Sequence, residues 1–307
     1  MYDLIIIGGG PAGISAGVYA SRKQLKTLFV TKDWGGQSIV STDIQNWIGT
    51  PSIAGDKLAS DLKGHLEAYA ADNVTIVGNQ TVSAIDKLEN GYEVTLSDGS
   101  KNQARAILIA SGSSRRRLEV PGANEFEHKG VTYCASCDGP IFAGQDVAVV
   151  GGGNAGFETA AQLLAYAKSV TLLQHGPQYK ADPVTVEKVL SHENMKGILN
   201  AKSKAVVADK FVSGLTYTDT ETGEDKTIPV TGIFVEIGMI PNTDFAEGVV
   251  ERDDYKRITI DPWTQKTSAP NIWAAGDCTN VKYHQNNISA GDGVRALEDI
   301  YVTLKTK

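Results

Sequence analysis

Residues 4–31, LIIIGGGPAGISAGVYASRKQLKTLFVT, and residues 147–174, VAVVGGGNAGFETAAQLLAYAKSVTLLQ, repeat one pattern at an offset of 143 positions. Each copy opens with an apolar run of strand length, turns on glycines, continues through an alanine-rich stretch, and closes on a second apolar run. That order reads as a βαβ unit whose first turn faces a dinucleotide. In the first copy Gly8 permits the tight turn, Gly10 leaves room for a pyrophosphate against the backbone, and Gly13 lets helix approach strand. Gly151, Gly153 and Gly156 repeat those roles. Pro11 and Ala12, and in the second copy Asn154 and Ala155, occupy the helix starts, where free N–H groups and the helix dipole attract phosphate. One such turn is also compatible with a plain strand-to-helix connection. Two in the same context predict two dinucleotides bound to an α/β chain of two Rossmann-like domains.

The rest of the composition narrows the function. A chain of 307 residues exceeds the roughly 100–200 residues of a common single domain, and two domains are expected. With 41% hydrophobic and 21% charged residues it has the balance of a globular protein. A formal net charge of -7 argues against a nucleic-acid partner, which needs clustered basic surface. No apolar run reaches the roughly 18 residues of a membrane span. Met1 leads directly into a strand with no basic leader, so the expected location is cytoplasmic, with no membrane partner.

Between and after the repeats, residues 75–77 and 92–96 read as antiparallel strands inserted in the sheet, divided by turns at Asn90-Gly91 and Asp98-Gly99. Similar signals recur around 214–226. The apolar runs 106–112, AILIASG, and 232–238, GIFVEIG, read as crossings between domains. Residues 271–277, NIWAAGD, form a short strand ending in Gly276 and Asp277, which places a carboxylate where α/β folds bind ligands. Residues 288–304 have the spacing of a closing helix.

Three cysteines are too few for a secreted disulfide framework. Cys134 and Cys137 form a CxxC, a spacing that closes into a small reversible disulfide and lowers the pKa of one thiol, with Asp138 beside it to move a proton. The pair alone also admits half of a zinc site or inert buried thiols. A zinc site needs two more ligands, and the remaining Cys278 stands 141 positions beyond Cys137. Cys278 itself reads as a small buried hydrophobe.

Taken in order, GGGPAG, CASCDGP at 134–140, GGGNAG at 151–156, GIFVEIGMIPNT at 232–243 and AAGDC at 274–278 resemble the low-molecular-weight thioredoxin reductases over nearly the whole chain. The chain is also similar to the flavoprotein component of alkyl hydroperoxide reductase without its N-terminal thioredoxin-like domains, so a separate acceptor protein is expected. The resemblance implies two three-layer ββα domains of the pyridine nucleotide-disulfide oxidoreductase type. A discontinuous FAD domain, 1–113 plus 246–307, would enclose a nicotinamide domain, 114–245, hinged at 113–118 and 241–246. It further implies that Gly8, Gly10 and Gly13 hold the FAD pyrophosphate, that Gly36, Gln37 and Asn46 line the flavin, that Asp277 binds its ribityl chain, that Gln285 closes the isoalloxazine side, and that Gly112 and Gly276 belong to the same FAD site. Cys137 would face the flavin, Cys134 would attack the partner disulfide, and Asp138 would act as acid or base. The implied assembly is a homodimer and the implied partner a small thioredoxin-like redox protein. Arg115, Arg116 and Arg117 read either as a guide for an acidic carrier or as a solvated face.

Two positions depart from that pattern. NADPH-dependent thioredoxin reductases carry arginines after the second strand of the nicotinamide unit, where this sequence has Gln174-His175-Gly176-Pro177. Charge-assisted hydrogen bonds contribute roughly 1.5–3 kcal/mol each, so two missing arginines weaken NADPH by about two to four orders of magnitude and shift preference toward NADH. Gln174, 18 positions after Gly156, takes the place of the acidic residue that reads ribose hydroxyls in NAD sites; Lys180 or His175 could substitute for the arginines. His284 stands where the resemblance expects Arg or Lys before the glutamine. Three functions stay open: a thioredoxin-reductase-like enzyme, a reductase of a peroxidase-linked carrier, and a flavin electron carrier or redox sensor with a donor other than a nicotinamide.

Overall fold

The computed structural model describes residues 1–41, 44–70 and 73–305, and of Val40, Ser136 and Cys137 the backbone alone. Contacts divide the chain into two units, Met1–Ser114 with Ile240–Lys307, and Arg115–Met239. The expected boundary at 246 therefore falls inside the first unit.

The first unit begins with β1 (Tyr2–Gly9), α1 (Pro11–Arg22) and β2 (Thr27–Trp34), then α2 (Gly55–Ala70) and β3 (Val74–Val77). A hairpin, β4 (Val82–Leu88) and β5 (Gly91–Leu96), precedes β6 (Lys101–Ile109) and the outgoing strand β7 (Ser113–Arg115). The second unit contains β8 (Val131–Thr132), the short helix α3 (Ala135–Asp138), β9 (Asp146–Val150), α4 (Asn154–Leu163) and β10 (Ser169–Leu173). It continues through α5 (Pro183–Leu190), β11 (Met195–Ile198), β12 (Ala201–Ala208), β13 (Val212–Asp219), β14 (Asp225–Ile228) and β15 (Gly232–Val235). Strand β16 (Met239–Pro241) returns the chain to the first unit, which ends with β17 (Ile272–Ala274) and α6 (Asn286–Lys305).

In the first unit the strands run β3-β2-β1-β6 in parallel. The far edge of β6 is shared, its start pairing antiparallel with β5 and its end parallel with β17. This explains the unbroken apolar run of β1. Leu4 and Ile6 pack with α1 and α6 on one face, while Ile5 and Ile7 pack with the hairpin on the other. The antiparallel reading of 92–96 holds, but that of 75–77 does not. Val74–Val77 pairs parallel with β2, Thr27 opposite Val74, because α2 supplies the crossover that a parallel neighbour requires.

The second unit has a parallel sheet in the order β11-β10-β9-β15-β8 and an antiparallel sheet β12-β13-β14. Val147, Val149 and Phe234 face α3 and α4, packing on Ala135 and Phe157. Val150, Ile233 and Val235 face the antiparallel sheet, packing on Val206 and Leu215. Helices, parallel sheet and antiparallel sheet thus form three layers. The runs expected as crossings are largely central strands, since Ala106 to Ile109 pairs with β1 and Gly232 to Val235 with β9. The crossings themselves are β7 and β16, which pair with each other.

Candidate active site

A cavity of about 940 Å³ opens in the first unit at the carboxyl ends of β1, β2, β6 and β17. Its floor is the glycine turn. Gly8 has φ +121°, and a Cβ there would stand 2.1 Å from the carbonyl oxygen of Ala110. A Cβ on Gly13 would lie 1.9 Å from the oxygen of Gly8. These two glycines meet a need of the protein's own packing, whatever the turn binds. Gly10 does not: its backbone is extended, and an added Cβ would meet only Gly36 Cα at 3.9 Å. Among the described residues, then, the protein's own packing does not call for a bare backbone there. Helix α1 starts with no side-chain cap, Pro11 in its first turn and no acidic residue, which leaves its N–H groups for an anion.

Gly36, Gln37, Gly112, Gly276 and Asp277 all line this cavity with Pro11 and Ala12. Asp277 Oδ1 accepts from Ser289 Oγ at 3.2 Å. His284 Nδ1 stands 3.3 Å from the same oxygen and, among the described residues, makes no hydrogen bond. The structure also brings Asn46 and Gln285 together, Nδ2 to Oε1 at 3.1 Å, and Asn287 Nδ2 donates to the Asn46 carbonyl at 2.7 Å. The loop after β2 is thereby tied to the start of α6.

Sequence reasoning misses two residues here. Asp33 lines the cavity at the end of β2, twenty positions after Gly13, the spacing at which an acidic residue reads a ribose; the rule that points to Gln174 in the second repeat points to Asp33 in the first. Asn242 exchanges hydrogen bonds with Ser111, Oγ to O at 2.7 Å and Nδ2 to O at 3.0 Å, and accepts from Ser114 at 3.0 Å. It fixes the segment that contains Gly112.

In the second unit the glycine logic repeats. Gly151 has φ +125° with a would-be Cβ 2.2 Å from the Glu236 oxygen, Gly156 would clash at 1.8 Å with the Gly151 oxygen, and Gly153 has nothing within 4 Å. Helix α4 likewise begins without a side-chain cap. The following segment folds back on this turn. Gln174 Oε1 accepts from Gly152 N at 3.0 Å, Gln174 Nε2 donates to the Gln178 oxygen at 3.1 Å, and Asn154 Oδ1 accepts from Asp182 N at 2.8 Å. The amide of Gln174 is thus engaged with backbone at both ends, and its side chain is buried. His175 and Lys180 are exposed.

Cys134 precedes α3 and is disulfide-bonded; the side chain of Cys137 lies outside the described residues. Thr132 Oγ1 donates to Asp138 Oδ2 and accepts from Cys134 N at 3.3 Å, so a buried threonine joins the carboxylate to the cysteine backbone. Nothing in the sequence pattern singles out Thr132. Cys278 is fully buried, and burial pushes its thiol up to about 11. Among the described residues no cluster of three or more His, Cys, Asp and Glu could hold a metal ion, and no helix is long and apolar enough to cross a membrane. Arg117 pairs with Glu127 at 3.4 Å.

The chain is 40% identical over 295 residues to an NADH dehydrogenase of Bacillus subtilis (strain 168), covering 96% of this chain and 57% of that protein. It is 41% identical over 299 residues to a component of the alkyl hydroperoxide reductase of Escherichia coli (strain K12), again 96% of this chain and 57% of the other. It therefore spans 57% of the length of these curated relatives. Among solved structures it is similar to a thioredoxin reductase from Streptococcus pyogenes MGAS5005, with TM-score 0.90 and 32% identity over 100% of this chain and 99% of that one. A thioredoxin reductase from Giardia duodenalis gives TM-score 0.92 and 29% identity at the same coverage. The sequence matches, over residues 2–293, a family that is FAD-dependent and takes NAD(P)H as co-substrate. The two bare-backbone turns, Gly10 and Gly153, fit such ligands, and the chain belongs to the pyridine nucleotide-disulphide oxidoreductase family.

Proposed function

We propose that the protein passes electrons from NADH, through FAD held by the first unit, to a disulfide of Cys134 and Cys137, and on to a small thioredoxin-like protein. The observation that carries this reading is the disulfide-bonded Cys134 beside Asp138, whose carboxylate Thr132 holds in place. In it Gly8, Gly10, Pro11, Ala12 and Gly13 receive the FAD pyrophosphate, with Gly36, Gln37, Asn46, Gly112, Gly276, Asp277 and Gln285 around the remainder. Gly151, Gly153, Asn154, Ala155 and Gly156 receive the nicotinamide dinucleotide, and Gln174 supports that turn from beneath.

Bound FAD supplies the two-electron chemistry that links a hydride donor to a disulfide. The protein's own residues then act in sequence. Reduction opens the disulfide to two thiols with the uptake of two protons. Cys134, as thiolate, attacks one sulfur of the partner disulfide, forming a mixed disulfide and releasing the partner's other sulfur as a thiol. Cys137 closes back on Cys134, which frees the reduced partner, and Asp138 takes and returns the proton. The proposed assembly is a homodimer, to be read by sedimentation.

The preference for NADH is supported by the absence of arginine at 174–177 and by the relative named NADH dehydrogenase. Relatives at 40–41% identity include a component of an alkyl hydroperoxide reductase, which favours, as a second reading, a carrier that serves a peroxidase. Replacing Cys134 by Ser and assaying NADH-linked reduction of candidate thioredoxin-like carriers tests the scheme. The variant is expected to lose carrier reduction, and full retention would overturn the proposal. Which carrier reacts fastest separates the two partners.

A further inference from the structure

Glu236 is a half-buried, ionisable carboxyl that the scheme above does not use. It follows the last residue of β15 and stands level with Gly151: Val235 pairs with Val150, and Glu236 N donates to the Val150 oxygen at 2.8 Å. Its side chain lies on the helix-covered face, where Oε1 accepts from Thr159 Oγ1 of α4 at 2.8 Å. The charged groups acting on it are Arg115 of β7, which favours the carboxylate, and Glu158 of α4, which opposes it. Burial outweighs the Thr159 hydrogen bond and Arg115 and, reinforced by Glu158, pushes this carboxyl up to about 7.

In the sheet order β11-β10-β9-β15-β8 the chain connections switch sides between β9 and β15, and a dinucleotide lies across such a point with its pyrophosphate on the intervening helix start. Its adenosine half falls on the side of β10, whose end carries Gln174. The nicotinamide half then extends over the end of β15, where Glu236 stands. The nicotinamide ring is positively charged when oxidised and neutral when reduced.

We propose that Glu236 is a specificity determinant of the donor site that responds to the charge of the nicotinamide ring, its carboxylate favouring the oxidised dinucleotide and its carboxylic acid not. The proposal rests on the reading of the second unit as the nicotinamide site. Attraction between the carboxylate and the oxidised ring couples binding to ionisation, so NAD⁺ binding lowers the pKa of Glu236 and releases a proton at neutral pH. At higher pH the site holds the product of hydride donation more tightly.

The test measures binding of NAD⁺, and of ADP-ribose, which lacks the ring, to the oxidised holoprotein by calorimetry at pH 6 and pH 8. NAD⁺ is expected to bind up to about tenfold more tightly at pH 8, following the ionised fraction of the carboxyl, while ADP-ribose changes little. Glu236→Gln should abolish the difference. Thr159→Val, which removes the hydrogen bond that favours the carboxylate, should move the transition to higher pH and serves if the glutamine variant fails to fold. Parallel pH profiles for NAD⁺ and ADP-ribose, or an unchanged profile in Glu236→Gln, would overturn the proposal. If neither compound binds, the donor-site reading itself fails and takes this proposal with it.

Discussion

Gln174 Oε1 accepts the backbone N–H of Gly152 at 3.0 Å, so the residue at the end of β10 braces the second glycine turn from within. An uncharged amide committed to backbone offers nothing to a 2′-phosphate. The exposed His175 and Lys180 are the nearby basic side chains in this segment. Steady-state kinetics should give kcat/KM for NADH at least about tenfold above that for NADPH, the equivalent of one lost charge-assisted bond. Equal or better use of NADPH would place the discriminating charge on Lys180 or His175. Gln174→Ala should lower stability by about 1–3 kcal/mol, because it leaves the Gly152 N–H buried and unpaired.

The glycines of each turn should separate into two kinds. Gly10→Ala and Gly153→Ala add a methyl group that meets little or no protein. They should keep the apoprotein within about 0.5 kcal/mol of its stability while reducing retention of FAD and affinity for NADH respectively. Gly8→Ala and Gly151→Ala combine a positive φ with a contact near 2 Å and should cost about 1–3 kcal/mol or more. Thermal melts set beside the flavin absorbance of the purified variants distinguish the outcomes.

Thr132 is the orienting partner of Asp138 and contacts the backbone of Cys134. Replacing Asp138 by Asn should slow carrier reduction by about a hundredfold or more, within the usual range for a lost acid–base group. Thr132→Val should give a smaller loss with the carboxyl group still present, and its pH–rate profile should be displaced from that of the wild type. Normal turnover in Asp138→Asn would remove this residue from the proton path.

Glu236 also predicts a stability change with pH. Its folded-state pKa, about 7, lies above the ordinary 4.5. The folded protein therefore binds the proton more tightly than the unfolded chain. The associated stability is complete below 4.5 and is lost as pH rises through 7, by an amount on the order of 3 kcal/mol. Urea unfolding should show Glu236→Gln close to wild type at pH 4.5 and more stable at pH 8. Equal differences at both pH values would mean that the carboxyl does not titrate in this way.

Much of this arrangement is legible in the sequence because the glycine turns are dictated locally. Gly8 and Gly151 must take positive φ, Gly13 and Gly156 must let a helix touch a strand, and these needs leave fixed spacings. Strand partnership is less local. Residues 74–77 have an apolar pattern that suits either pairing, and only the intervening α2 makes the parallel one possible. The inward turn of Gln174, the threonine behind Asp138 and the partial burial of Glu236 against Thr159 depend on side-chain contacts that residue type alone does not reveal. Asp33, by contrast, is readable from its spacing to Gly13.

The most direct measurement is an anaerobic titration of the oxidised holoprotein with NADH, followed by counting accessible thiols. The oxidised flavin absorbance should be lost and a new pair of thiols should appear from the CxxC, with no reaction at Cys278, whose thiol is buried and pushed up to about 11. Adding an oxidised thioredoxin-like carrier should then restore the disulfide. Failure of NADH to bleach the flavin, or bleaching that exposes no new thiols, would contradict the proposed electron path.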